Sequence, residues 1–320
     1  MASGKPRLIG DIGGTNARFA IAIDGEYQRM TAYHSRDYKG LDGAIAAYVE
    51  ALPAALKPQE AAMAIAGPVQ DDEIRLTNID WYFSRRALAR QFGFEPLVVI
   101  NDFTANALSL PYLGSKETRQ VGGGKPRDGA PIAILGPGTG LGVSGLVRSA
   151  DGQYVALSGE GGHVTMAASD TEDAAVLAKL RWRYPHLSAE RLLSGEGLVN
   201  LYDALASLDG QSPARLTPAD ITDPESKDPL CAAAVERFCA MLGSVAGNLA
   251  LTLGAEGGVY IAGGIVPRLG ERFDRSAFRS RFEAKGRMQP YLARIPTFVI
   301  THPDPAMIGL ANLKGESAGA

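Results

Sequence analysis

Asp102 closes the apolar run Leu97 to Ile100 in LVVINDF, directly before a helix-like stretch from Phe103 to Leu108. A carboxylate at the C-terminal end of a buried strand stands at the rim where α/β sheets bind ligands. There it can accept a hydroxyl proton as the oxygen attacks an electrophile. The same position suits a helix N-cap equally well, a duty Asp performs readily. Glu160 and His163 lie in SGEGGHV, and Glu190 lies in SAERLLSG. Carboxylates, amides and imidazoles take paired hydrogen bonds from vicinal hydroxyls, so this set reads as a sugar site, with the glycines letting the loop approach a small polar ligand. Asn101 and Asn78, the latter with Trp81 close behind in LTNIDW, could support the same pocket. For Glu190 the competing reading is a capping box headed by Ser188, which fits imperfectly because the box needs a spacing of three. His34, His186 and His302 read as structural, and no second His or Cys stands near His163 at zinc-ligand spacing.

A second group of residues could hold phosphate. Glycine admits positive φ and close backbone approach, so a glycine-rich turn aims several N–H groups at phosphate oxygens. Gly13, Gly14, Thr15 and Asn16 form one such turn, preceded by Asp11, which could hold a hydrated Mg²⁺. Arg18 either reaches the transferred group or lies on a strand surface. Gly136, Pro137, Gly138, Thr139 and Gly140 form a second turn, and Gly263-Gly264, after an apolar strand, could floor an adenosine. Each alone is ordinary hairpin chemistry, and together they point to a nucleotide. No GxxxxGK[ST] occurs, and GPGTGLG has the wrong spacing for a dinucleotide fingerprint and precedes a strand where a helix should begin.

These residues need elements to carry them. Strands are predicted over Arg7 to Asp11, Ala17 to Ile23 and Gln28 to His34 as an antiparallel meander, then at Ala62 to Ala66 and Leu97 to Ile100. Helices are predicted over Leu41 to Leu56 and Ser84 to Phe92, the second capped by Ser84. A second strand-rich start covers Pro131 to Leu135, Val143 to Val147 and Tyr154 to Leu157. Helices follow over Thr171 to Tyr184, Glu196 to Leu208 and Pro229 to Leu253, with strands at Val259 to Ala262 and Thr297 to Thr301 and a last helix over Pro305 to Lys314. GDIGGTNARFAIAI and LGPGTGLGVSGLV match at Thr15 and Thr139, an internal repeat that predicts an α/β molecule of two lobes with a site between them.

With 320 residues, 46% of them hydrophobic, the chain can bury two cores. A net charge of -3 with interspersed signs gives nucleic acid no attractive surface. No apolar run approaches the length needed to span a bilayer and no signal segment opens the chain, so a cytosolic location is expected. Cys231 and Cys239, the two cysteines, lie in one apolar helical stretch and read as core thiols.

GDIGGTNAR, AIAGPV, LTNIDW, INDFTA, GPGTGLG, GEGGHV, SAERLLSG and AEGGVYIAGGIVPR occur in this order over nearly the whole chain. In this the sequence resembles the bacterial glucokinase family, within the actin-like ATPase superfamily, whose ribonuclease H-like fold sets two α/β lobes around a central cleft. The resemblance implies a small domain over 1–112 plus 302–320 and a large one over 113–301, Mg-ATP as phosphoryl donor, and a homodimer. It implies that Asn101, Asp102, Glu160, His163 and Glu190 bind glucose and that Asp102 deprotonates the 6-hydroxyl. Gly10 to Thr15 and Gly136 to Gly140 would hold the phosphates, and Gly263-Gly264 the adenosine. Related ROK kinases carry a cysteine-rich zinc motif after the sugar-binding His. This sequence has MAAS there and resembles the zinc-free branch. The rival readings are a kinase for another hexose, a glycosidase using Glu160 and Glu190, and a non-catalytic sugar-sensing regulator.

Overall fold

The computed structural model describes residues 4–67, 69, 71–76 and 79–313. In chain order the strands are β1 (Arg7–Ile12), β2 (Asn16–Ile23), β3 (Glu26–His34), β4 (Glu60–Ile65), β5 (Glu73–Arg75), β6 (Tyr82–Ser84), β7 (Leu97–Asn101), β8 (Thr118–Val121), β9 (Ile132–Pro137), β10 (Leu141–Arg148), β11 (Tyr154–Ser158), β12 (Val259–Ile261) and β13 (Thr297–Ile300). The helices are α1 (Leu41–Glu50), α2 (Arg85–Phe92), α3 (Asp102–Ser109), α4 (Thr171–Leu180), α5 (Gly195–Leu208), α6 (Pro218–Thr222), α7 (Pro229–Leu253), α8 (Ile265–Leu269), α9 (Glu271–Arg275), α10 (Phe278–Glu283), α11 (Gln289–Ala293) and α12 (Pro305–Ala311). They fall into two compact units, one of residues 1–114, 152–158 and 302–320, the other of 115–151 and 159–301.

The first unit is a sheet of order β3-β2-β1-β4-β7, antiparallel through β3, β2 and β1 and parallel from β1 to β7. Successive side chains of a strand point to opposite faces. Leu8 and Ile12 of β1 therefore join Phe19, Ile21, Leu41 and Ile45 on one face, while Ile9 joins Ala20, Ala62, Ile100, Met307 and Leu310 on the other. The last helix thus returns to the first unit. Ser84 caps α2, accepting from Ala87 N–H at 3.1 Å. Helix α1 is shorter than its apolar pattern: Pro53 disfavours helical backbone at Leu52, and Ala54–Leu56 makes only a 3₁₀ turn. Helix α4 ends at Leu180, and Arg183 and Tyr184 N–H both turn back onto the Leu180 carbonyl ahead of Pro185.

In the second unit β10 pairs antiparallel with β9, β9 pairs parallel with β12, and β12 with β13, before β8 closes the edge antiparallel. The matched Thr15 and Thr139 therefore stand on equivalent turns, each joining a first strand to an antiparallel second strand while a later parallel strand lies on the other side. Helices α5, α7 and α10 cover this sheet with a core that includes Leu201, Phe238, Met241 and Phe282. By length and composition α7 would pass for a membrane span, but 72% of its most apolar window is buried, the pattern of a core helix. Cys231 and Cys239 are free thiols inside it.

Candidate active site

In the first unit, Asp11 is the last residue but one of β1 and Asn101 ends β7, with β4 between them. Strand spacing puts their backbones about 10 Å apart on one rim of the sheet. The capping duty falls to Asn101: its Oδ1 accepts from Phe103 N–H at 2.8 Å and Thr104 N–H at 3.2 Å, and its Nδ2 donates to the Gly67 carbonyl at 3.2 Å. Asp102 is the first residue of α3, where the exposed N–H groups of the helix favour the carboxylate. The cap duty considered for Asp102 thus falls to its neighbour Asn101, which makes these bonds within the fold. Asn78 lies outside the described residues.

The first glycine turn is a built loop. Gly13 N–H closes it by donating to the Asn16 carbonyl at 2.9 Å. Ser35, fully buried, braces the turn by donating its hydroxyl to the Gly13 carbonyl at 3.1 Å and its N–H to the Thr15 carbonyl at 2.9 Å. Gly10 is a packing residue: it is buried inside β1, and a Cβ there would meet the Met63 sulfur at 2.5 Å. Arg18 is tied at 3.2 Å to Asp11 and at 3.5 Å to Asp304, just ahead of α12. Burial pushes the Asp11 carboxyl above its ordinary value of 3.8, an effect that Arg18 offsets in part.

In the second unit the turn between β9 and β10 closes on itself by Gly138 N–H to the Gly140 carbonyl at 2.8 Å, and Gly195 N–H anchors α5 to the Gly138 carbonyl at 2.9 Å. Gly136 belongs to β9 and is buried, so Gly138, Thr139 and Gly140 are the turn proper. Gly263 has φ +82°, and a Cβ on it would clash with the Pro137 carbonyl; Gly263 and Gly264 are exposed beside this turn.

Glu190 belongs to this turn as well. Its Oε2 accepts from Leu141 N–H at 2.9 Å. The capping box does not form, since Ser188 makes no side-chain cap bond. Glu160 and His163 flank a 3₁₀ turn over Gly161–His163, whose loop is zipped to the Glu190 segment by Ala189 N–H to Val164 O and Met166 N–H to Leu187 O, both 2.9 Å. His186 Nε2 also lies 2.8 Å from the His163 carbonyl. The glycines here serve a purpose other than ligand approach: a Cβ on Gly161 would meet Val143 at 2.7 Å, and one on Gly162 would collide with the Leu141 carbonyl. They let the loop lie flat on β10. The structure thus gathers Glu160, His163, Glu190 and the 138–140 turn into one cluster, with Glu160 and His163 exposed.

Ser35 and Asp304 are supports that the sequence reading does not single out, whereas His186 has the structural duty expected of it. Asp304-Pro305 is a helix-start signature that marks Asp304; Ser35 carries no comparable sequence signal. Among the described residues no three His, Cys, Asp or Glu side chains form a metal cage. Mg²⁺ asks for less, one or two carboxylates with water and phosphate oxygens completing its shell, and Asp11 at a phosphate turn fits that need.

A family model for glucokinase matches residues 8–316. Glucokinase of Nitrobacter hamburgensis is 51% identical over 309 residues, covering 96% of each chain, and that of Paramagnetospirillum magneticum is 52% identical with the same coverage. The solved glucokinase of an Antarctic psychrotroph is 39% identical, with a TM-score of 0.88 over 96% of this chain and 98% of its own. A ROK family glucokinase from Streptomyces griseus, solved with glucose and AMPPNP, shares the fold at 18% identity and a TM-score of 0.64, covering 96% of this chain and 98% of that one.

Proposed function

The chain belongs to the glucokinase family and has the α/β fold of the actin-like ATPases, and on that premise we propose that it transfers the γ-phosphoryl group of ATP to the 6-hydroxyl of D-glucose. The observation that carries this reading is the Glu190 to Leu141 hydrogen bond, which joins a hydroxyl-binding loop to a glycine phosphate turn. A glycosidase has no use for that turn, and a regulator has none for a base at Asp102.

Asp102 accepts the 6-hydroxyl proton as the oxygen attacks phosphorus, while Glu160, His163 and Glu190 orient the sugar through its other hydroxyls. The turn amides of Gly14, Thr15, Thr139 and Gly140 stabilise charge on the phosphoryl oxygens, and Gly263-Gly264 support the adenosine. Asp11 would hold Mg²⁺, which would supply charge neutralisation on the phosphates. We further propose that the protein works in the cytosol as a homodimer at the first step of glycolysis, a reading that the family membership supports.

A coupled assay of ADP release across a hexose panel with Mg-ATP tests the proposal. Glucose should give the highest kcat/KM. Asp102→Asn should keep glucose KM within about tenfold while kcat falls on the order of a thousandfold, the size of a general-base contribution with positioning. Near-normal turnover would remove Asp102 from this role, and a clear preference for another hexose would displace glucose.

A further inference from the structure

The glycine-rich segment 122–129, GGGKPRDG, takes no part in the proposed reaction, yet it is bolted to the second unit. Lys125 N–H donates to the Arg294 carbonyl at 3.2 Å and Arg127 N–H to the Glu256 carbonyl at 3.0 Å. Gly124 has φ +93°, and a Cβ there would press on the backbone of Arg294, so glycine is required for this close seating. The seating borders an open surface pocket of about 450 Å³ lined by Lys125, Arg127, Glu256, Tyr291, Arg294 and Ile295. That volume matches a small metabolite.

The lining chemistry is specific. Three cations face the pocket with one carboxylate, and Glu256 is already paired to Arg127 at 2.7 Å. Lys125 and Arg294 remain to bind a dianion, with the Arg127 guanidinium close by. Tyr291 donates its hydroxyl to Glu256; burial, reinforced by that carboxylate, pushes its phenol above the ordinary value of 10.0, so it stays neutral and offers its oxygen as an acceptor. A carboxylate and a phenol side by side suit hydroxyl groups. The apolar contribution, Ile295, offers no broad face for a purine.

The pocket lies at the start of β9, β12 and β13, whereas the 138–140 turn and Gly263 follow the ends of β9 and β12. Six residues of β9 separate the two sites by roughly 15 to 20 Å. We propose that this pocket is a second ligand site, distinct from the phosphate turns, for the phosphate monoester of a small polyhydroxylated molecule. It stands independently of the reaction assigned above.

Calorimetric titration with ribose 5-phosphate and with inorganic phosphate tests it, using wild type, Lys125→Ala/Arg294→Ala and Thr139→Val. Wild type should bind ribose 5-phosphate at least fivefold more tightly than inorganic phosphate. The double variant should weaken that binding about tenfold or more, as expected on losing two charge-assisted partners, while Thr139→Val leaves it unchanged. Both replaced side chains are exposed, and either single variant serves if the double variant melts early. No binding, equal affinity for inorganic phosphate, or loss in Thr139→Val with the double variant unaffected would each overturn the proposal.

Discussion

Replacing Glu190 by Gln separates two views of that side chain. If Glu190 serves sugar alone, the change acts on glucose. The structure gives it a second task, because its Oε2 holds Leu141 N–H at 2.9 Å, directly after the 138–140 turn. A hydrogen bond with one charged partner contributes about 1.5–3 kcal/mol and a neutral one about 0.5–1.5 kcal/mol. Glutamine keeps the shape and loses the charge, so the turn should loosen by about 1 kcal/mol, and since about 1.4 kcal/mol is tenfold, the loss corresponds to roughly fivefold. Initial-rate kinetics with each substrate varied should therefore show KM rising for ATP by about three- to tenfold together with a rise for glucose. The melting temperature should drop by roughly 2–4 °C. A rise in glucose KM with ATP KM and melting temperature unmoved would refute the argument that Glu190 braces the phosphate turn.

Gly162→Ala forces the His163 loop off β10, because the new Cβ has no room at the Leu141 carbonyl; overpacking of this kind costs about 1–3 kcal/mol, and thermal melts with glucose kinetics should both register it. Asp304→Ala removes one of two carboxylates on the partly exposed Arg18, so a stability loss of about 1 kcal/mol or less is expected with a few-fold rise in KM for ATP. An unchanged KM would leave Asp11 as the sole effective anchor. Burial pushes the Cys239 thiol up to about 12 from 9.0, so mass-mapped alkylation at pH 8 should reach it only on unfolding. Because the unfolded chain loses that proton first, the same thiol erodes stability as pH climbs from about 9 towards about 12, and fast labelling of native protein would contradict the assignment.

Where a residue's function is set by its own strand or turn, the sequence was readable. Apolar runs ending in Asp11 and Asp102, and glycine turns at Thr15 and Thr139, mark sheet edges through local backbone requirements alone. The helix ends at Glu50 and Leu180 were less so, because the amphipathic pattern continues past them, towards Pro53 in one case and into a turn on the Leu180 carbonyl in the other. Three structural duties were hidden in the sequence for a shared reason. Asn101 turned out to be the cap, Gly161 and Gly162 the floor of a loop on β10, and Glu190 a brace for another segment. Each depends on a neighbour distant in sequence or on which of two adjacent residues takes a hydrogen bond, and composition carries no trace of either. Ser35 shows the same limit: a plain serine after a strand, decisive only because β3 ends beside the Gly13 carbonyl.

Helix α12 gives the chain a timetable. Met307 and Leu310, wholly enclosed against Ile9, Ala62 and Ala105, complete one face of a sheet whose strands were all made by residue 101. On the ribosome the first unit must wait while residues 115–301 are polymerised, roughly ten to forty seconds at about 5–20 residues per second. Throughout that interval the nascent sheet exposes an alanine- and isoleucine-rich surface that its own chain has not yet supplied a cover for. The second unit is finished first, and a truncation before Pro305 would strand the first one in its unfinished state.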